Sequence, residues 1–114
     1  MKQKIFTLLA CLCLTMAVTA GQRFKIAEQG KTAQIIVDDQ DWKGVIRAAQ
    51  DLSNDVMKVS GVTPEVVCAN QVKEGSIIVG TIGKSTIIDK LIKQKKLDVS
   101  KVRGKWESFV IDVI

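Results

Sequence analysis

Histidine is absent from all 114 residues. That removes histidine-based triads, imidazole metal sites and imidazole acid–base chemistry. Any catalysis would have to rest on carboxylates, lysines, serines or threonines. Tyrosine is also absent, and the two tryptophans, Trp42 and Trp106, and three phenylalanines complete the aromatic inventory. Cysteine is scarce: Cys11, Cys13 and Cys68. Proline occurs once, at Pro64. Charge of one sign is weak as well. The net charge is +5, too small to point to nucleic acid or to a strongly anionic partner.

The first twenty residues stand apart from the rest. Lys2 and Lys4 make a basic start, residues 5–18 run apolar apart from Thr7 and Thr15, and Val18-Thr19-Ala20 offers a small-residue cut site. This is the layout of a secretory signal peptide over residues 1–20, cleaved after Ala20. A membrane anchor fits less well. Fourteen residues at about 1.5 Å each reach roughly 21 Å, short of the roughly 30 Å hydrocarbon core. Leu8-Leu9-Ala10-Cys11 loosely resembles a lipobox, so a lipoprotein is a minor alternative. The chain therefore reads as exported, to the periplasm or the extracellular space, without a membrane span.

Removal of residues 1–20 from 114 leaves 94, with Cys68 as the remaining thiol and a net charge of +3 after loss of two lysines. One cysteine forms no internal disulfide. Following Val66-Val67, it reads as a buried structural thiol.

The 94 residues alternate strand and helix signals. Arg23-Phe24-Lys25-Ile26-Ala27 alternates polar and apolar, and Gln29-Gly30-Lys31 reads as a turn. Gln34-Ile35-Ile36-Val37-Asp38 is a β-branched run. A helix follows, with Asp39 or Asp41 as cap and an apolar stripe of Val45, Ile46, Ala48, Ala49, Leu52, Val56 and Val59. Ser60-Gly61 and Pro64 end it. Glu65-Val66-Val67-Cys68 is a third strand. Ser76-Ile77-Ile78-Val79-Gly80 reads as a central strand buried on both faces. Ser85 caps a second helix that buries Ile87, Ile88, Leu91 and Ile92. Lys90, Lys93, Lys95 and Lys96 read as its solvated end, favoured by the helix dipole, with a phosphate-binding patch as the alternative. Residues 108–114 form a last apolar strand that reads as cut before its turn. The expected fold is α/β: a small two-layer domain, a mixed sheet of about five short strands packed by two helices.

Three motifs invite functional readings. Gly80-Thr81-Ile82-Gly83-Lys84-Ser85 looks like a phosphate loop, but two residues separate its glycines where four are needed. The spacing predicts a sharp turn and no nucleotide. Asp38, Asp39 and Asp41 suggest a calcium loop, yet the string from Asp39 has Lys43 at its fifth position and Gln50 at its twelfth. Helix capping is the expected role, with no metal and no cofactor. Trp42 and Trp106 could each stack on a sugar ring, or act as packing anchors. Glu107 beside Trp106 is one carboxylate, and a glycosidase needs two facing acids.

The string Ile77-Ile78-Val79-Gly80-Thr81-Ile82-Gly83-Lys84-Ser85, then Ile88-Asp89, Leu97-Asp98-Val99-Ser100 and Gly104-Lys105-Trp106-Glu107-Ser108-Phe109, closely resembles the amino-terminal domain of glycoside hydrolase family 115. Upstream, Asp41-Trp42, Ala48-Ala49, Asp51-Leu52, Ser60-Gly61 and Pro64 fit the same domain, so the likeness spans about residues 22–114. That family comprises xylan α-1,2-glucuronidases. The resemblance implies a parent enzyme that acts on glucuronoxylan, with its chemistry in a downstream (β/α)₈ barrel. A barrel takes roughly 250 residues. The resemblance thus implies an inactive supporting domain, truncated before the barrel, onto which no catalytic residue carries over. Two other classes compete: a stand-alone secreted carbohydrate-binding module using Trp42 and Trp106, and a secreted interaction domain.

Overall fold

The computed structural model describes residues 23–114; the expected leader, with Cys11 and Cys13, lies outside them. The described chain opens with a hairpin. β1 (Ala27–Glu28) pairs antiparallel with β2 (Lys31–Thr32). Its two-residue loop puts Gln29 at φ 50° and Gly30 at φ 73°, the turn whose twist matches a hairpin.

The main sheet has three parallel strands. β3 (Ile35–Val37) lies in the middle, β4 (Val66–Cys68) on one side and β5 (Ile77–Val79) on the other. Ile35, Ile36 and Val37 align with Val66, Val67 and Cys68, and with Ile77, Ile78 and Val79. The expected central strand is therefore an edge strand: β5 is half-buried, whereas β3 is buried throughout. Both strands read Ile-Ile-Val. Composition alone cannot rank two identical triplets; the flanking connections decide.

α1 (Lys43–Ser60) makes the crossover from β3 to β4, and α2 (Thr86–Lys93) follows β5. Side chains alternate across a strand, and the two faces of β3 carry different helices. Ile35 and Val37 meet Ala49, Val45, Ile46 and Leu52 of α1. Ile36 meets Ile87 and Leu91 of α2 on the other face, with Leu97 beyond. The small α/β domain expected from the sequence is what the chain adopts. Its helices cover opposite faces, so the layers number three rather than two, and the strands divide into a hairpin and a parallel sheet.

The apolar stripe of α1 is narrower than its sequence suggests. Ala48 and Val59 are exposed, Val59 at 91%. At 100° per residue they project about 60° and 40° to one side of Val45, off the face that meets the sheet. Ser53 occupies the stripe instead. It is buried, and its hydroxyl donates to the Pro64 carbonyl at 2.7 Å, which ties the helix to the return strand. Gly61, at φ 76°, ends α1 with its N–H donating to Met57 O. α2 ends without glycine: Lys95 takes φ 57° and the Lys96 N–H donates to Leu91 O at 3.0 Å, a Schellman closure.

Residues 108–114 are not a strand. They form no ladder among the described residues, and Phe109 and Ile111 are 79% and 87% exposed. An apolar run becomes a strand through a neighbour's hydrogen bonds, which its own sequence does not supply.

Candidate functional site

In parallel α/β sheets ligands sit beyond the carboxyl ends of the strands. Here Asp38 directly follows β3, and Gly80 and the turn into α2 directly follow β5. Asp38 is buried, and three donors converge on it. Its Oδ1 accepts from Gln40 N at 2.9 Å, while Oδ2 accepts from Thr86 N at 2.7 Å and from the Thr86 hydroxyl. The Thr86 hydroxyl and then these backbone donors hold its carboxyl below the ordinary carboxylate range, against the opposing effect of burial. Asp41, also buried, accepts from Trp42 N and, across the sheet edge, from Thr81 N, both at 2.7 Å.

These bonds correct the expected capping. Neither Asp39 nor Asp41 caps the first turn of α1, whose N-cap is Trp42 with no side-chain bond. Asp38 serves the start of α2 from 48 residues away. Ser85 is the local cap of α2 as expected, its hydroxyl accepting from Ile88 N at 3.3 Å.

The turn between β5 and α2 resembles a phosphate loop in outline, but five of its N–H groups are engaged within the chain. Thr81 N goes to Asp41, Gly83 N to Asp89 at 2.8 Å, and Thr86 N to Asp38. The N–H groups of Lys84 and Ser85 both donate to Thr81 O. The chain's own carboxylates take the place that an anionic ligand takes in such a loop.

Gly83 sits at φ 80° with open space where a side chain would project. Gly83→Val therefore strains the backbone without a clash. The expected cost is about 2 kcal/mol, the penalty for an L-residue in the left-handed region. Urea denaturation followed by circular dichroism measures it, and an unchanged midpoint would refute the assignment.

Trp42 and Trp106 are not packing anchors. Trp42 is 60% exposed and Trp106 92%, and neither belongs to a core cluster. Trp42 lies on the rim of the strand ends with the Lys84 ammonium 4.8 Å from its ring centroid, a cation–π contact. Trp106 lies in the segment after α2. Cys68 is exposed rather than buried: it ends β4, which has no neighbour on its outer side among the described residues.

A cleft of about 320 Å³ opens at the opposite, amino-terminal end of the strands, lined by Gln34, Thr63, Glu65, Lys73, Glu74 and Ser76 among others. Glu65 is held by Gln34, whose Nε2 donates to Oε2 at 2.6 Å. The lining is polar and lacks the apolar wall of an ordinary ligand pocket. Among the described residues no group of three acidic or cysteine side chains could hold a metal ion, and no helix is long and apolar enough to cross a membrane.

No protein-family model matches the chain, and no curated protein matches it.

The carboxylate clamp is not legible in the sequence. Its signal was an Asp-Asp-x-Asp cluster directly after a buried triplet, with Thr86 beside the helix cap. Nothing local shows that the acids reach 48 and 40 residues forward.

Proposed function

We propose that the chain is a non-catalytic, amino-terminal domain of an exported glycoside hydrolase of the xylan α-1,2-glucuronidase kind, contributing to glucuronoxylan degradation through its parent enzyme. One structural observation carries the non-catalytic part. The two buried carboxylates at the strand ends, Asp38 and Asp41, are engaged by backbone N–H groups. A glycosidase instead aims two carboxyl groups at one glycosidic bond, roughly 5–10 Å apart. The family assignment rests on the Gly-Thr-Ile-Gly-Lys-Ser and Gly-Lys-Trp-Glu-Ser-Phe strings.

Two measurements test the reading. The purified chain, incubated with aldouronic oligosaccharides, is expected to release no uronic acid; turnover above an empty-vector control overturns the non-catalytic assignment. The gene downstream of codon 114 is expected to encode a (β/α)₈ barrel, in frame or after a frameshift. Its absence there removes the family assignment.

The exposure of Trp42 and Trp106 favours one second reading, a carbohydrate-binding module. That reading requires the chain's migration in a native gel to be retarded by glucuronoxylan, and the retardation to be lost in Trp106→Ala.

A further inference from the structure

Two places in an α/β fold receive anions: the carboxyl end of a parallel sheet and the N–H groups that open a helix. In this chain they coincide, and the position between them is filled from within. The Asp38 carboxylate, on a residue only 1% exposed, spans it. Its Oδ1 accepts from Gln40 N at 2.9 Å. Its Oδ2 accepts from Thr86 N at 2.7 Å and from the Thr86 hydroxyl. The donors thus come from two segments far apart in the sequence, one after β3 and one at the start of α2. Gln40 and Thr86 are both exposed, so the donors are within reach of solvent once the carboxylate is removed.

We propose that this end of the sheet is a carboxylate-binding site, occupied in the natural chain by Asp38 itself, which takes a free monocarboxylate of formate size when Asp38 is replaced. The donors, not the tether, make the site. Each carboxylate oxygen meets its own donors there, a two-pronged match that a spherical chloride ion cannot reproduce. The tether supplies effective concentration, which keeps free anions out of the natural chain. Asp39, exposed, and Asp41, buried and engaged by Trp42 N and Thr81 N, adjoin in sequence. Their charge opposes a free anion, so formate must be supplied in large excess. The proposal is independent of the glucuronidase reading.

The test is chemical rescue. Urea midpoints of the natural chain, Asp38→Ala and Asp38→Ser are measured by circular dichroism in sodium formate and in sodium chloride of equal concentration. Formate is expected to raise the midpoint of both variants above the chloride value. The natural chain should show no such difference. At about ten times its dissociation constant, formate multiplies the folded-to-unfolded ratio roughly tenfold. Asp38→Ser guards against an Asp38→Ala chain too unstable to fold. The hydroxyl it introduces still accepts from Gln40 N and leaves the Thr86 donors free for formate.

Thr86→Pro supplies the counter-test. Position 86 is the first of α2, where proline is tolerated, and Ser85 before it is already extended at ψ 119°. The substitution removes the Thr86 N–H and hydroxyl together. Combined with Asp38→Ser, it is expected to abolish the gain from formate. Failure of formate to raise either single variant's midpoint above its chloride value overturns the proposal. So does an equal formate gain in the natural chain or in the double variant.

Discussion

Asp38→Ala is expected to lower stability by about 3–5 kcal/mol, enough to unfold much of a domain whose total is on the order of 5–15 kcal/mol. Hydrogen bonds to a charged group contribute about 1.5–3 kcal/mol each. Asp38 accepts three, and its loss leaves Thr86 N and the Thr86 hydroxyl without their acceptor at a part-buried site. Asp38→Asn should be nearly as damaging. Its single carbonyl oxygen can face Gln40 or Thr86, and its NH₂ then opposes a donor at the other side. The pH dependence has a definite sign. The folded-state pKa of Asp38 is depressed, so its contribution is fully present above the unfolded-state value of about 4 and fades as pH falls through the folded-state value. Urea midpoints by circular dichroism should therefore differ widely between the natural chain and Asp38→Asn at neutral pH. They should converge in strong acid. A midpoint for Asp38→Ala equal to that of the natural chain would remove the clamp from the account.

Gly80→Ala is expected to cost about 2–3 kcal/mol, from overpacking rather than from backbone strain. A methyl group there would lie 2.6 Å from Ile88 Cγ1 and 2.8 Å from Ser85 Cβ and Oγ. Ser85 is fully buried and Ile88 is in the α2 core face, so neither can retreat freely. The cap of α2 is disturbed at the same time, because Ser85 Oγ is the group that receives Ile88 N. Gly80 and Gly83 thus fail in different ways. At Gly83, asparagine, which tolerates the left-handed region, should recover part of the loss. At Gly80 it should be worse than alanine. Thermal melts of the four variants would separate the two mechanisms, and rescue of Gly80 by asparagine would contradict the steric one.

The class of fold was readable because its signals are local. The α1 stripe of Val45, Ile46, Ala49 and Leu52, the Gly61 stop and the Ser85 cap each need a few consecutive residues, and each stands in the structure. Long-range relations were not readable. Ile35-Ile36-Val37 and Ile77-Ile78-Val79 are the same string, so which of them lies between two neighbours depends on connection geometry. The placement of the two helices on opposite faces follows from that same geometry. The strand expected over residues 108–114 failed for a related reason: an apolar run describes side chains, whereas a ladder needs a partner. At the candidate site, Trp42 and Trp106 stood out by residue type, and their exposure is a tertiary property. By sequence Asp38 closes a strand and Asp41 is a candidate cap of the helix that follows. They act instead on Thr86 and Thr81, because a carboxylate at a strand end meets whatever backbone the neighbouring strand delivers there.

The central position of β3 also bears on the order in which the sheet can assemble. Ile35 must find Val66, 31 positions on, and Ile77, 42 positions on. Closing two flexible loops of those lengths differs by only about 0.3 kcal/mol, so chain entropy hardly distinguishes the partners. The intervening helix does. An 18-residue α1 turns more than half of the first loop into a rod roughly 27 Å long, and the search for β4 is left to short hinges at its ends. No helix bridges β4 to β5. The β3–α1–β4 unit is thus the part of the sheet whose closure its own helix shortens, whereas β5 must find β3 across a longer separation.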